Sequence, residues 1–374
     1  MKKLVSLILV TVLALGMTSV ALAADTLKIG GIAPLTGAVS VYGLLVKDGV
    51  ELYKDEVNAR GGVLGQQVEI VWMDDTGDAV EAVNAYNQLA GSGISALIGP
   101  VTTTPTLAVG ARAAEDKMPM ITASATAYDV TSAGENIFRA CFLDPYQAEL
   151  MALYANQNLK ATKVAVLYDN TNDYSIGLYE AFTKKAEELG MEVVAAESAV
   201  ENDADYTPQL GKIADAQPDA VFVCYYYETA ALVLRQAVDV GLEATMMGAD
   251  GWTDIQKQLS DDLALLDKAA YCDSFSAADD SEVAKAFVSS FTTKYANSPA
   301  GFNALGYDAA KIMLSAIEQA GSTDSAAIIA ALKATNLDCA TGHISFNEHN
   351  DPIKSAFIMG FEAGVPTLIT RVDP

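Results

Sequence analysis

Short apolar, β-branched runs alternate with longer amphipathic stretches along most of this 374-residue chain. The runs predict strands and the stretches predict helices. The first block has strands at 27–32, 68–73, 96–98 and 120–122, with helices at 44–59, 79–89 and 106–115. After Phe138 the rhythm restarts, with strands at 164–168, 192–196, 220–224 and 245–247 and helices at 147–158, 176–189, 208–216 and 229–240. Such alternation predicts parallel sheets covered by helices, hence two doubly wound, Rossmann-like α/β lobes.

The last hundred residues follow a different pattern. Helices are predicted at 283–295, 304–319 and 325–333, and after a further segment at 342–346 two strands are predicted at 355–361 and 365–371. These strands come too late and are too few for a third α/β domain, so we expect the chain to re-enter the first lobe and then cross back. The predicted lobes are 24–143 plus 274–357 and 144–273 plus 358–374, joined by a multi-strand hinge. Ligands of open α/β sheets bind beyond the carboxyl ends of the strands, which here border the interlobe cleft.

The N-terminus has the three parts of a secretory signal peptide. Lys2 and Lys3 precede an apolar stretch over 4–15, which closes on the small residues of Ala21-Leu22-Ala23. We predict a signal peptide at 1–23, cleavage near Ala23 and a periplasmic location. A retained membrane anchor is the alternative, but the run is short for a bilayer span of about 20 residues. The first cysteine is Cys141, which excludes a lipoprotein anchor.

Charge and cysteine content narrow the function classes further. The formal charge of −25 disfavours nucleic-acid partners, because an acidic surface repels phosphate. This charge indicates solubility, with recognition of a basic partner as the alternative. The four cysteines form no CxxC motif, and no histidine has metal-ligand spacing, so we expect no metal site. Any disulfide pairing is open, although Cys224 follows an apolar run and is expected to be a buried free thiol.

The loops carry no recognised catalytic motif, such as a phosphate-binding glycine loop, a nucleophile elbow or a zinc-protease helix. The chain has two histidines, His343 and His349, both in a late polar stretch typical of exposed loops. We therefore expect no enzyme and no cofactor. The rival from another class, an extracytoplasmic amidohydrolase or esterase, would have to use one of these histidines as its base.

Two hydroxyl-rich loops follow neighbouring predicted strands. The first is Val101-Thr102-Thr103-Thr104-Pro105, in which Thr103 or Thr104 is expected to cap the next helix. The second is Ser124-Ala125-Thr126. A helix N-terminus presents free N–H groups and partial positive charge, which suit a carboxylate. Together the loops predict either a carboxylate-binding corner or simple helix capping.

The second lobe offers the opposite charge. Asp250 follows the strand at 245–247, where it is either a turn residue or a partner for a ligand ammonium. Tyrosines with an apolar ring and a polar tip also suit such a cleft, although each is equally consistent with packing. The candidates are Tyr42, Tyr174 and the run Tyr225-Tyr226-Tyr227.

Several stretches resemble one known family across nearly the whole chain after residue 23. They are 28–30, 34–37 with Tyr42-Gly43, 58–65, Asp74-Asp75, 98–100, 234–237 and Thr341-Gly342. The chain resembles the type I periplasmic solute-binding proteins of ABC importers, in the leucine/isoleucine/valine-binding branch. That resemblance implies an extracytoplasmic monomer that binds an α-amino acid and delivers it to an inner-membrane ABC permease.

The resemblance also implies roles for individual residues. Thr103 would bind the ligand carboxylate with Val101 and Thr102 beside it, and Ser124, Ala125 and Thr126 would supply backbone and hydroxyl groups. Tyr42 and Phe302 would line the cleft, Tyr174 and Tyr226 would close over the ligand, and Asp250 would receive the ammonium.

Three departures leave the side-chain preference open. The family's prototypes carry glutamate where this chain has Asp250, and Trp252 follows it. Their disulfide positions correspond to Gly77 and Thr102, so that bridge is missing. Cys141 and Cys272 would lie on neighbouring crossings and are the first pair to test. Aliphatic amino acids, small polar ones and carboxylic acids without an amine all remain candidate ligands, and a sensor subunit is an alternative role.

Overall fold

The computed structural model describes residues 26–373, and the predicted signal peptide at 1–23 lies outside them. The strands are β1 (Leu27–Ala33), β2 (Val68–Asp74), β3 (Leu97–Ile98), β4 (Met120–Thr122), β5 (Ile137–Arg139), β6 (Lys163–Tyr168), β7 (Glu192–Ser198), β8 (Ala220–Cys224), β9 (Thr245–Gly248), β10 (Ala269–Asp273), β11 (Asn336–Cys339), β12 (Gly342–Ser345), β13 (Ala356–Glu362) and β14 (Val365–Val372). The helices are α1 (Ser40–Ala59), α2 (Ala79–Gly91), α3 (Thr103–Asp116), α4 (Asp144–Gln157), α5 (Asp173–Glu188), α6 (Thr207–Ala216), α7 (Tyr227–Asp239), α8 (Ile255–Gln258), α9 (Glu282–Tyr295), α10 (Gly301–Ala320) and α11 (Ser325–Lys333).

The first sheet is parallel throughout, with strand order β2-β1-β3-β4-β5. Helix α1 packs against α10, which comes more than 240 residues later in the chain, and α2 packs against α3. Strands β1 and β2 have seven residues each, whereas β3 and β4 have two and three and are buried throughout. Burial of entire strands is what helices on both faces of a parallel sheet produce.

The second sheet has the order β14-β13-β10-β9-β8-β6-β7. Its strands β10, β9, β8, β6 and β7 are parallel, whereas β13 and β14 are antiparallel additions at one edge. The chain leaves the first sheet after β5, returns after β10 to add α9, α10 and α11, and crosses again to form β13. The two-lobed, parallel α/β fold predicted from the sequence is confirmed. The numerical bounds of the lobes stay a prediction.

The structure differs from the sequence prediction mainly in short elements. Strands β5, β10 and β11 were not predicted, because runs of three to five residues carry too little periodicity to separate them from loops. Helix α1 starts four residues earlier than predicted and α3 three residues earlier, which places Tyr42 and Thr103 in first helical turns. No helix within residues 26–373 combines the length and the apolar character needed to cross a bilayer.

Candidate ligand-binding site

A small cavity lies between the two lobes, at the carboxyl ends of their parallel strands. It is lined by Tyr42, Val101, Thr102, Thr103, Ser124, Thr126, Tyr174, Tyr226, Asp250, Gly251 and Phe302. Ten of the eleven residues predicted from the sequence therefore surround one space. The exception is Ala125, whose side chain packs with Ala127 and Val130 instead.

The first wall is the start of α3. Thr102 occupies the N-cap position in an extended conformation, but its side chain makes no capping hydrogen bond. The prediction that Thr103 or Thr104 caps this helix is therefore wrong. The hydroxyls of Thr102 and Thr103 are both buried, and neither has a hydrogen-bond partner among the described residues. Unpaired hydroxyls beside the free N–H groups of a helix start form a surface suited to an anion.

The second loop is tied to the first by side-chain hydrogen bonds. The Ser124 hydroxyl donates to the Val101 carbonyl at 2.9 Å, and the Thr122 hydroxyl donates to the Pro100 carbonyl at 2.6 Å. Thr126 is held through its carbonyl, which accepts from the Asp144 backbone N–H at 2.9 Å. These bonds make the two hydroxyl-rich loops one preorganised corner.

Asp250 lies opposite this corner, in a short 3-10 turn after β9, and is only 3% exposed. Its Oδ1 accepts hydrogen bonds from Gln147 Nε2 and from the Tyr174 hydroxyl, both at 3.0 Å. Burial raises the pKa of Asp250 to about 6, although these two donors act against that rise by stabilising the ionised form. At neutral pH the second lobe therefore presents a carboxylate to the cavity.

A second buried carboxyl group stands behind Asp250. The amide of Gln147 also donates to Asp144 Oδ1 at 2.9 Å, so one side chain bridges both acids. Burial, followed by repulsion from Asp250, raises the pKa of Asp144 to about 8. Sequence analysis missed Asp144 and Gln147, because an acid and an amide at a helix start are indistinguishable from capping residues. It also missed Gly251, where a Cβ atom would come within 2.7 Å of the Tyr174 hydroxyl.

Aromatic side chains form the remaining walls and join the lobes. The ring of Tyr42 stacks on Phe302 with centroids 4.6 Å apart, and Tyr226 stacks on Tyr174 at 4.8 Å. The Tyr42 hydroxyl donates to the Gly251 carbonyl and accepts from the Tyr227 backbone N–H at 2.8 Å. Because Tyr42 belongs to the first lobe and its partners to the second, these bonds hold the lobes together over the cavity.

The histidines and cysteines that were considered for catalysis, metal binding or disulfide formation do not line this cavity. Neither His343 nor His349 lines the cavity, and His343 is exposed on β12, where its ring nitrogens contact Asp338 and Asn336. Within residues 26–373 no group of three or more histidines, cysteines or acids could hold a metal ion. All four cysteines are buried free thiols, as expected for Cys224. The suggested bridge between Cys141 and Cys272 is not formed, and the Cys141 thiol donates to the Ala125 carbonyl instead.

Known proteins are similar to this chain in both sequence and fold. Residues 26–365 match the family described as periplasmic binding protein. The Leu/Ile/Val-binding protein BraC3 of Rhizobium johnstonii is 34% identical over 351 residues, which cover 92% of this chain and 94% of that protein. The leucine-, isoleucine-, valine-, threonine- and alanine-binding protein of Pseudomonas aeruginosa is 31% identical, with 90% of each chain covered.

Solved structures show the same similarity. The leucine binding protein LivK of Thermotoga maritima superposes with a TM-score of 0.89 at 34% identity, covering 93% of this chain and 99% of that one. The substrate binding protein LivJ of Streptococcus pneumoniae, solved with isoleucine, gives a TM-score of 0.87 at 30% identity over 94% of this chain and all of that one. The sequence match and the shared two-lobed architecture together show that the chain belongs to the periplasmic binding protein family.

Proposed function

We propose that this protein captures an α-amino acid in the cavity between its lobes and delivers it to an inner-membrane ABC permease. One observation carries the proposal. An anion-binding corner on one lobe faces a buried carboxylate on the other, across a space lined by aromatic rings. An amino acid in its zwitterionic form has the complementary pair of charges.

The ligand carboxylate is assigned to the first lobe. The start of α3 supplies backbone N–H groups, and the Thr103 hydroxyl is buried without a partner. Ser124 and Thr126 add polar groups from the neighbouring loop. An anion placed there would satisfy donors that the described residues leave unpaired, and the partial positive charge of the helix terminus would stabilise it.

The ligand ammonium is assigned to Asp250. Both side-chain donors to this carboxylate reach Oδ1, which leaves Oδ2 to accept from the ligand. A hydrogen bond between two charged groups contributes about 1.5–3 kcal/mol. The raised pKa of Asp144 keeps that neighbouring side chain mostly protonated at neutral pH, so the negative charge at this position is that of Asp250.

The sequence of binding follows from where the contacts lie. The carboxylate docks first on the preorganised corner of the first lobe. Asp250, Tyr174 and Tyr226 then engage from the second lobe, and these contacts exist only when the lobes meet. Ligand binding therefore stabilises the closed form, and Tyr42 adds interlobe hydrogen bonds to it.

Relatives support the ligand class, since those with 31–34% identity are named for binding leucine, isoleucine and valine, and one also for threonine and alanine. The N-terminal sequence supports secretion and a periplasmic location, and we propose a monomer that binds and releases its ligand unchanged. A small carboxylate without an amine remains an alternative ligand, since the corner on the first lobe would accept it equally well.

Thermal unfolding of the refolded, ligand-free protein tests this function against the twenty amino acids and a set of small carboxylates. A ligand at about a hundred times its Kd adds roughly 2.7 kcal/mol to the free energy of unfolding, which is readable as a rise in Tm. We expect the rise with a subset of L-amino acids. A rise only with acids that lack an amine would overturn the role of Asp250, and no rise with either class would overturn the proposal.

A further inference from the structure

A second cavity adjoins the central one and extends away from the assigned carboxylate and ammonium positions. Its volume is about 170 Å³, and both lobes contribute to its walls. It shares Thr102 and Tyr226 with the central cavity, whereas Ser124, Thr126 and Asp250 line the central cavity alone. Thr102 and Tyr226 therefore form the boundary between the two cavities.

The hydroxyl of Thr102 stands at the junction of the two cavities. Thr102 is 7% exposed, and its Oγ1 is buried without a partner among the described residues. Its carbonyl accepts from the Thr106 hydroxyl at 2.7 Å, so the backbone is held independently of the side chain. A buried hydroxyl without a partner is unfavourable, and a ligand group that pairs with it removes that cost.

The rest of the second cavity has both polar and apolar walls, since Ala38, Val39 and Pro105 also line it, and it lacks cations. Thr76, Asn172, Glu201 and Glu228 are among its lining residues, and none of the lining residues is Lys, Arg or His. Glu201 is held in place, because its Oε1 accepts from the Tyr226 backbone N–H at 3.1 Å and its Oε2 from Asn172 at 3.3 Å. These walls offer hydrogen-bond acceptors and hydroxyls, which an aliphatic side chain cannot use.

We propose that the ligand side chain points toward this second cavity and that Thr102 selects a hydroxyl or amide side chain over an aliphatic one of the same shape. The inference rests on the proposed function, because it takes the amino-acid head group as bound in the central cavity. It names the ligand class as small polar amino acids, such as threonine and asparagine.

Pairs of equal shape isolate the hydrogen bond. Threonine and valine differ by a hydroxyl in place of a methyl, and asparagine and leucine are close in shape. We would measure Kd for all four by calorimetry with the wild-type protein, Thr102→Val, Thr102→Ser and Thr104→Val. Thr104 lines the same cavity but is exposed, so it is the matched control.

The wild-type protein should bind threonine about tenfold more tightly than valine, the effect of about 1.4 kcal/mol from a buried hydrogen bond. Thr102→Val should bring this ratio close to one, whereas Thr102→Ser and Thr104→Val should retain it. Equal or tighter binding of valine by the wild type, or an unchanged ratio in Thr102→Val, would overturn the inference. The Tm of each variant establishes that it is folded, and Thr102→Ala replaces Thr102→Val if the valine variant is not.

Failure of this inference is distinguishable from failure of the proposed function. If valine and leucine bind tightly and the ratios do not respond to Thr102, the role of Thr102 is refuted while amino-acid binding stands. If no amino acid binds to any folded form of the protein, the proposed function and the inference are refuted together.

Discussion

Replacing Asp250 by asparagine removes the charge that the proposed ligand ammonium needs and keeps the shape of the side chain. Asparagine Oδ1 can still accept from Gln147 and Tyr174, so the surrounding hydrogen bonds survive. Its Nδ2 would occupy the position of Oδ2 and present N–H donors to an ammonium, which is also a donor. The variant should therefore fold and lose amino-acid affinity.

The expected loss follows from the burial of this group. Asp250 is only 3% exposed, so solvent screens its interaction with a ligand cation weakly. Removing one member of a buried, hydrogen-bonded charge pair costs about 2–5 kcal/mol, which corresponds to a 30- to 5,000-fold rise in Kd.

Calorimetric titration measures the effect, using the tightest-binding amino acid and the same acid without its amine. Asp250→Asn should weaken the amino acid strongly and the amine-free acid little, because the latter does not contact Asp250. Asp254→Asn is the matched control, since Asp254 is buried nearby but does not line the central cavity. A Kd within threefold of wild type for folded Asp250→Asn would refute the ammonium role.

Four further predictions concern the pH dependence of affinity, the pH dependence of stability, closure of the lobes and the thiols. The pKa of Asp250 is about 6, so amino-acid affinity should fall about tenfold per pH unit below that value; a flat Kd from pH 8 to 5 would contradict this. The pKa of Asp144 is raised from 3.8 to about 8. Between these pH values the folded state therefore retains a proton that the unfolded state releases. The free energy of unfolding should accordingly fall as pH rises over this range. Asp144→Asn should accordingly raise Tm more at pH 8 than at pH 5. An equal rise at both pH values would contradict protonation of Asp144 in the folded state. Tyr42→Phe removes two interlobe hydrogen bonds of about 1 kcal/mol each, so its ligand-free form should be more open, with a larger radius of gyration by X-ray scattering than wild type. All four cysteines are buried free thiols, so Ellman's reagent should titrate none in the folded protein and all four in denaturant, whereas a disulfide would leave two unreactive.

Most of the fold was readable from local pattern. Alternation of apolar runs and amphipathic stretches predicted the regular elements of both lobes, since burial of a strand or of a helix face imposes a period of its own. Strands β5 and β10 were not predicted, because they have only three and five residues and show too little periodicity to be separated from loops. The return of the chain to the first lobe was predicted by elimination, from the lack of strands for a third domain.

The candidate site, like the fold, was only partly predictable from the local sequence. Hydroxyl-rich loops at strand ends and an acid after β9 are local signals, and family resemblance raised them to binding candidates. Sequence alone thus determined which side chains are available and at which strand ends they stand. Only the tertiary structure decided that Gln147 bridges Asp144 and Asp250, that Gly251 must lack a side chain, and that the Thr102 hydroxyl has no partner within residues 26–373. Those facts depend on burial and on contacts between segments up to about a hundred residues apart, which the local sequence pattern does not encode.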